Sequence, residues 1–207
     1  PNINMSRWTD EAWLNVNFPQ IITTEKAILS GNQIIQLAGD YAHRFYTRPD
    51  GSLEYELVLG KKPASNVFVF NLAFPDGLTF AYQPALTAQE IAERHFRPDN
   101  VVGSYAVYWK KANGQYKAGK FCHIYRPEII DALGKRTWGV LKIDEALKTL
   151  TITIDPAWLT NALYPVIIGP NLGYSTLGAS TYTNLYKGIG RTSNQAGSNG
   201  TAVAMYM

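Results

Sequence analysis

The sequence predicts an all-β fold, mainly an antiparallel β-sandwich or open barrel, with one short helix inserted near residues 87–95. Strand-like segments recur about every ten to fifteen residues and are bounded by turns rich in Pro and Gly. Aromatic residues make up 13% of the chain, with 13 Tyr and 5 Trp, and such side chains suit a pleated, half-buried surface. Hydrophobic residues reach 46% against 17% charged over 207 residues, enough to bury a core without disulfides.

Residues 11–18 alternate Ala12, Leu14, Val16 and Phe18 against Trp13, Asn15 and Asn17, the two-residue period of a strand, and Pro19 ends it. A hairpin follows over 42–59. Its turn is Arg48-Pro49-Asp50-Gly51, where Pro presets one backbone angle and Gly supplies a positive φ. On the returning strand Leu53, Tyr55, Leu57 and Leu59 share one face. Residues 67–74 form the most apolar strand, closed by Pro75-Asp76-Gly77, and a short strand over 78–83 stops at Pro84.

The helix is signalled by LTAQEIAERHF. Thr87 and Glu90 make a capping box, Leu86 and Ile91 occupy the two staple positions, and Pro98 limits the helix to about two turns. Strands are then expected over 101–111, 120–126, 139–143, 149–154 and 165–169. Between the last two, Asp155 reads as an N-cap and Pro156 as the first helical residue, with Trp158 and Leu159 seating that turn on the core. The β-rich body is expected to span 1–177, with packed sub-sheets over about 1–85 and 100–170. From Gly178 onward Gly, Ser, Thr and Asn dominate, so 178–207 reads as a linker with a terminal strand. That strand is Thr201, Ala202, Val203, Ala204, Met205, Tyr206 and Met207; it has no hairpin partner and so seeks a sheet edge.

The formal charge of +3 is spread along the chain in isolated pairs such as Lys61-Lys62 and Lys110-Lys111. A nucleic-acid binder gathers its basic residues on one face, so no nucleic-acid partner is expected. Membrane insertion is not expected either, since no run of about 18 apolar residues occurs. The single cysteine, Cys122, forms no internal disulfide. No signal peptide is visible at Pro1-Asn2-Ile3-Asn4, and the expected setting is a virion or an extracellular surface reached without one.

Catalytic constellations are sparse. His43, His95 and His123 show no metal-ligand spacing, so no metal and no cofactor is expected. Cys122 and His123 are adjacent, and adjacent side chains of a strand point to opposite faces, which gives one inward thiol and one outward imidazole rather than a dyad. Ser104 in VGSYA lacks the second Gly of a nucleophile elbow. The acids Asp76, Glu90, Glu93, Asp99, Glu128, Asp131, Asp144, Glu145 and Asp155 fall at turns, caps or a helix face, where local structure explains them. No catalytic residue is assigned. Tyr105 and Trp109 share a strand face with Val107 and are either core or a platform for stacking sugar rings, the mark of a glycan-binding adhesin module.

The segments SRWTDEAWLNVNF, YELVLGKKPASNVFVFNL, FAYQPALTAQEIAE, RPDNVVGSYAVYWKK, GKFCHIYRPEIIDALGKRTWGVLKID and LTITIDPAWLTNALYPVIIGPNLGY occur in that order. In order and spacing they resemble an uncharacterised family of bacterial, phage and metagenomic proteins. In that family such a region is usually the amino-terminal β-rich part of a longer surface or virion-associated protein. The resemblance covers about residues 6–177 and brings no catalytic residues. It implies that 178–207 are a hinge plus the start of, or a substitute for, a further β-sandwich module. The expected function is a non-enzymatic structural or assembly protein, a phage virion or surface-assembly component. Its partners would be itself or other structural subunits, met through sheet edges and residues 201–207; the alternative is the glycan-binding module.

Overall fold

A computed structural model describes residues 2–7, 11–18, 27–47, 53–111, 119–169 and 171–173. Along the chain the strands are β1 (Asn2–Arg7), β2 (Ala12–Asn17), β3 (Ile28–Ser30), β4 (Gln33–Ala38), β5 (Tyr41–Thr47), β6 (Leu53–Leu59), β7 (Val67–Ala73) and β8 (Leu78–Gln83). After α1 (Ala88–Ala92) come β9 (Ser104–Trp109), β10 (Gly119–Ile124), β11 (Glu128–Ile130), β12 (Arg136–Trp138), β13 (Val140–Asp144) and β14 (Thr149–Thr153). A second short helix, α2 (Pro156–Asn161), precedes β15 (Val166–Gly169) and β16 (Asn171–Gly173).

The strands pair antiparallel into two sheets, as an all-β sandwich requires. The first is five-stranded in the order β1-β2-β7-β14-β13. The second, of eleven strands, runs β12-β11-β15-β6-β16-β10-β9-β8, with β5, β4 and β3 added in turn beyond β6. β15 and β16 follow each other along one side of β6. Val166 to Ile168 lie against Leu59 to Leu57 and Leu172 against Leu53, with β11 and then β10 on their far side. The segment that closes the described chain is therefore a central strand.

The period of two sets what is buried. Ala12, Leu14, Val16 and Phe18 point inward from β2 and the residue after it, whereas Trp13 is 39% exposed. Phe68, Phe70 and Leu72 of β7 and Leu150 and Ile152 of β14 extend that inner face. From the other layer Tyr55, Leu57 and Leu59 of β6 and Tyr105, Val107 and Trp109 of β9 meet them in one core.

The layers do not divide the chain near residues 85 and 100. The chain changes layers between β2 and β3, β6 and β7, β7 and β8, β12 and β13, and β14 and β15, so each sheet draws strands from both halves. The β7–β8 and β12–β13 crossings each need a residue without a side chain. Gly77 has φ +103 and its absent Cβ would meet the Lys111 side chain. Gly139 donates to the Pro127 carbonyl at 2.9 Å, and a Cβ there would come within 3.0 Å of Pro127 and 3.2 Å of Ile152.

The capping box at Thr87 and Glu90 is present, and the helix expected near 87–95 stops at Ala92, with Arg94 at φ 63. No residue of α1 is buried and Ile91 is 61% exposed, so packing does not extend it. α2 forms where Asp155 and Pro156 predict it. The Asp155 side chain accepts from Ala157 N–H at 2.9 Å, and Trp158 and Leu159 are buried. Among the described residues no helix is long and apolar enough to cross a membrane. The turn Arg48-Pro49-Asp50-Gly51 and the tail 178–207 lie outside the described residues.

Candidate functional site

Two buried histidines, on different faces of the larger sheet, draw attention first. Ser104 opens β9, and its Oγ lies 2.6 Å from His123 Nε2 on β10 and 2.5 Å from the Val101 carbonyl oxygen. A carbonyl only accepts and a hydroxyl has one proton, so Ser104 donates to Val101 and His123 donates its Nε2–H to Ser104. A nucleophile–base pair needs the reverse, a free Nε2 lone pair facing the hydroxyl proton. Burial, then the charge of Lys120, pulls the imidazole down to about 3, which makes it a weak base. The pair fastens the turn before β9 to the sheet.

The outward imidazole expected at His123 is corrected here. It does lie on the face opposite Cys122, as the strand period requires, but it is only 5% exposed. The Tyr125 ring packs on it at 4.4 Å. The turn at 98–103 is tied to the ends of both neighbouring strands, Arg126 N–H to the Asn100 carbonyl and Gly103 N–H to the Gln83 carbonyl. Cys122 is buried, and burial pushes its thiol up to about 12, so it is not a thiolate nucleophile at neutral pH. An irregular register at Phe121 separates Lys120 from Cys122, and Arg7 Nη1 donates to the Lys120 and Phe121 carbonyls across the sandwich.

Tyr105 and Trp109 are core residues, 9% and 4% exposed, and neither offers a face to a sugar ring. The Tyr105 hydroxyl instead accepts Ile143 N–H at 3.2 Å and so links the two sheets. The acids have local duties. Asp131 accepts from the N–H groups of Leu133, Lys135 and Leu163. Burial pushes its carboxyl up, but those hydrogen bonds and Lys135 outweigh that and hold it below its ordinary value. Asp144 accepts from Leu147 N–H, Glu90 completes the capping box, and Glu128 pairs with Arg136 at 2.8 Å. Thr201, Ala202, Val203, Ala204, Met205, Tyr206 and Met207 lie outside the described residues.

Two carboxylates of β6 and a histidine of β5 have surroundings that the sequence alone does not show. Glu54 and Glu56 alternate along the outer face of β6. Glu56 binds Arg44 at 2.5 Å and accepts from the Tyr46 hydroxyl at 2.9 Å, and Glu54 is 4% exposed. On the inner face His43 of β5 is fully buried, with Nδ1 2.9 Å from the Tyr55 hydroxyl. It stands at a cleft of about 400 Å³ lined by Phe18, Tyr41, Leu57, Phe68 and Phe70 among others. The signal was the alternation in YAHRFYT, which puts His43 in register with core residues of β6.

The other distinctive surface is the end of the larger sheet. β3 and β4 extend past the smaller layer, so Leu29 and Ile34, on the core side, are 75% and 49% exposed. Ile28 and Leu37, on the opposite side, are 51% and 39% exposed. Residues 27–39 contain no Lys, Arg, Asp or Glu. Among the described residues no group of three or more His, Cys, Asp or Glu is placed to hold a metal ion. Comparison with protein-family models, with curated proteins and with solved structures finds no match.

Proposed function

We propose that this chain is a non-enzymatic structural subunit, a phage virion or surface-assembly component, which contacts further copies of itself or other structural subunits through sheet edges and through residues 201–207. The observation that carries this reading is the uncovered β3–β4 overhang. Each large aliphatic side chain moved from water into an interface contributes about 1.5–3 kcal/mol, and the edge hairpin exposes two on each face, Leu29 and Ile34 on one and Ile28 and Leu37 on the other. Monomeric sheets protect such an edge with charge, Pro or a cover. Here 27–39 are uncharged and Pro-free. A second copy laid along β3 pairs the backbone edge that is unpaired among the described residues and covers Leu29 and Ile34 in one step. The virion or surface setting rests on the resemblance of residues 6–177.

Sedimentation velocity on the full chain tests the assembly. The native protein is expected to sediment as an oligomer or larger particle. Leu29→Lys with Ile34→Lys is expected to give a monomer whose melting temperature is unchanged, since both side chains are already exposed. A native protein that stays monomeric up to its solubility limit removes the proposal.

A further inference from the structure

We propose that the cleft between β5, β6 and β7 binds a small, mainly apolar molecule carrying one hydrogen-bond-acceptor oxygen, such as an aryl ketone, which receives the Nε2–H of His43. This site is separate from the β3–β4 overhang and does not depend on the assembly reading.

The floor of the cleft is made by the buried side chains of Phe18, Leu57, Phe68 and Phe70, and its rim by the exposed Ala64 and Ser65. At about 400 Å³ it falls in the size range of small-molecule sites, and such sites are mostly apolar with a few placed polar groups. Among the described residues no Lys, Arg, Asp or Glu lines it, so the complement is an uncharged body.

The placed polar group is His43. The ring lies 5.6 Å from that of Phe18, 5.9 Å from Tyr55 and 6.4 Å from Phe45, so its neighbours prevent it from swinging out to solvent. One hydrogen bond joins His43 Nδ1 to the Tyr55 hydroxyl. If Nδ1–H donated, the Tyr55 proton and the Nε2 lone pair would both be unpaired. If Tyr55 donates, only Nε2–H is left, so this tautomer is assigned. Among the described residues nothing accepts from Nε2. Tyr55, which holds Nδ1, does not line the cleft, whereas His43 does. Burial pulls the imidazole down to about 4, so at neutral pH it presents one N–H and no charge. A buried donor without an acceptor is unfavourable, and a ligand oxygen relieves it.

Two probes of nearly equal shape separate this site from simple apolar uptake. Acetophenone has a ring and a carbonyl; cumene replaces the oxygen with a methyl group. Titrated into the full-length native protein and followed by NMR, acetophenone is expected to shift the His43 Nε2–H resonance and the ring signals of Phe18 and Phe70. It is expected to bind about tenfold more tightly than cumene, the ratio for one net hydrogen bond. His43→Phe is expected to bring the two affinities together. Should that variant fold poorly, the comparison in native protein decides alone. Equal affinities, no acetophenone binding, or shifts confined to residues away from Phe18, His43 and Phe70 would each overturn the site.

Discussion

His43 and His123 are both neutral in the folded protein for the same reason, desolvation, and both are among its most buried polar groups. Their folded values are about 4 and about 3, against 6.5 in an unfolded chain. Above pH 6.5 neither state binds the extra proton and the fold has its full stability. As pH falls below 6.5 the unfolded chain takes up protons that the folded chain refuses, so stability declines until the folded values are reached. By pH 5 each histidine lowers stability by about 2 kcal/mol. Urea midpoints measured at pH 7.5 and pH 5 should therefore fall clearly, before most carboxylates titrate. His123→Gln should remove part of that slope. A midpoint that does not move between the two pH values would show that these imidazoles are solvated.

At the scale of elements, the two helices make a contrast. α1 has a complete capping box but buries nothing, whereas α2 has a single capping contact and seats Trp158 and Leu159 in the core. Losing an N-cap costs about 1 kcal/mol when the helix is coupled to global unfolding. Asp155→Ala should accordingly lower the unfolding free energy by that amount, read as a lower urea midpoint at unchanged slope. Thr87→Ala should leave the midpoint nearly unchanged and instead raise amide exchange locally at residues 88–92, because α1 can open without the core. Equal effects of both changes on the midpoint would contradict this division. What was readable in sequence follows similar lines. β2, β6 and β7 have clear alternation, and the caps at Thr87 and Asp155 are short-range chemistry, so all of these were expected. β1, with the polar sequence NINMSR, and the three-residue strands β3, β11, β12 and β16 exist through their partners and have too few residues to show a period. The His43 cleft is equally non-local. Alternation places His43 on a face, but only the sheet pairing reveals that Tyr55 holds one of its nitrogens and that the other has no acceptor among the described residues.

At the scale of the molecule, the two layers are unequal, and that inequality links stability to assembly. The five-stranded layer covers the middle of the larger sheet and leaves β3 and β4 beyond it. The middle is closed by the run from Val166 to Leu172. Val166, Ile168 and Leu172 are almost fully buried, and β6 depends on that run for its pairing on the side away from β5. A chain ending at residue 177 keeps every strand described and should fold with a melting temperature close to that of the full protein. A chain ending at 165 loses the central strands β15 and β16, exposes Leu57, Leu59 and Ile129, and should not fold, because removing several large core side chains exceeds the 5–15 kcal/mol typical of whole domains. If residues 201–207 supply a subunit contact, the 177 chain should also sediment as a smaller species than the full protein. Circular dichroism and sedimentation velocity on the two truncations check both parts. A folded 165 chain would refute the central-strand argument. A 177 chain that folds and assembles like the native protein would leave the β3–β4 edge as the contact surface and remove 201–207 from it.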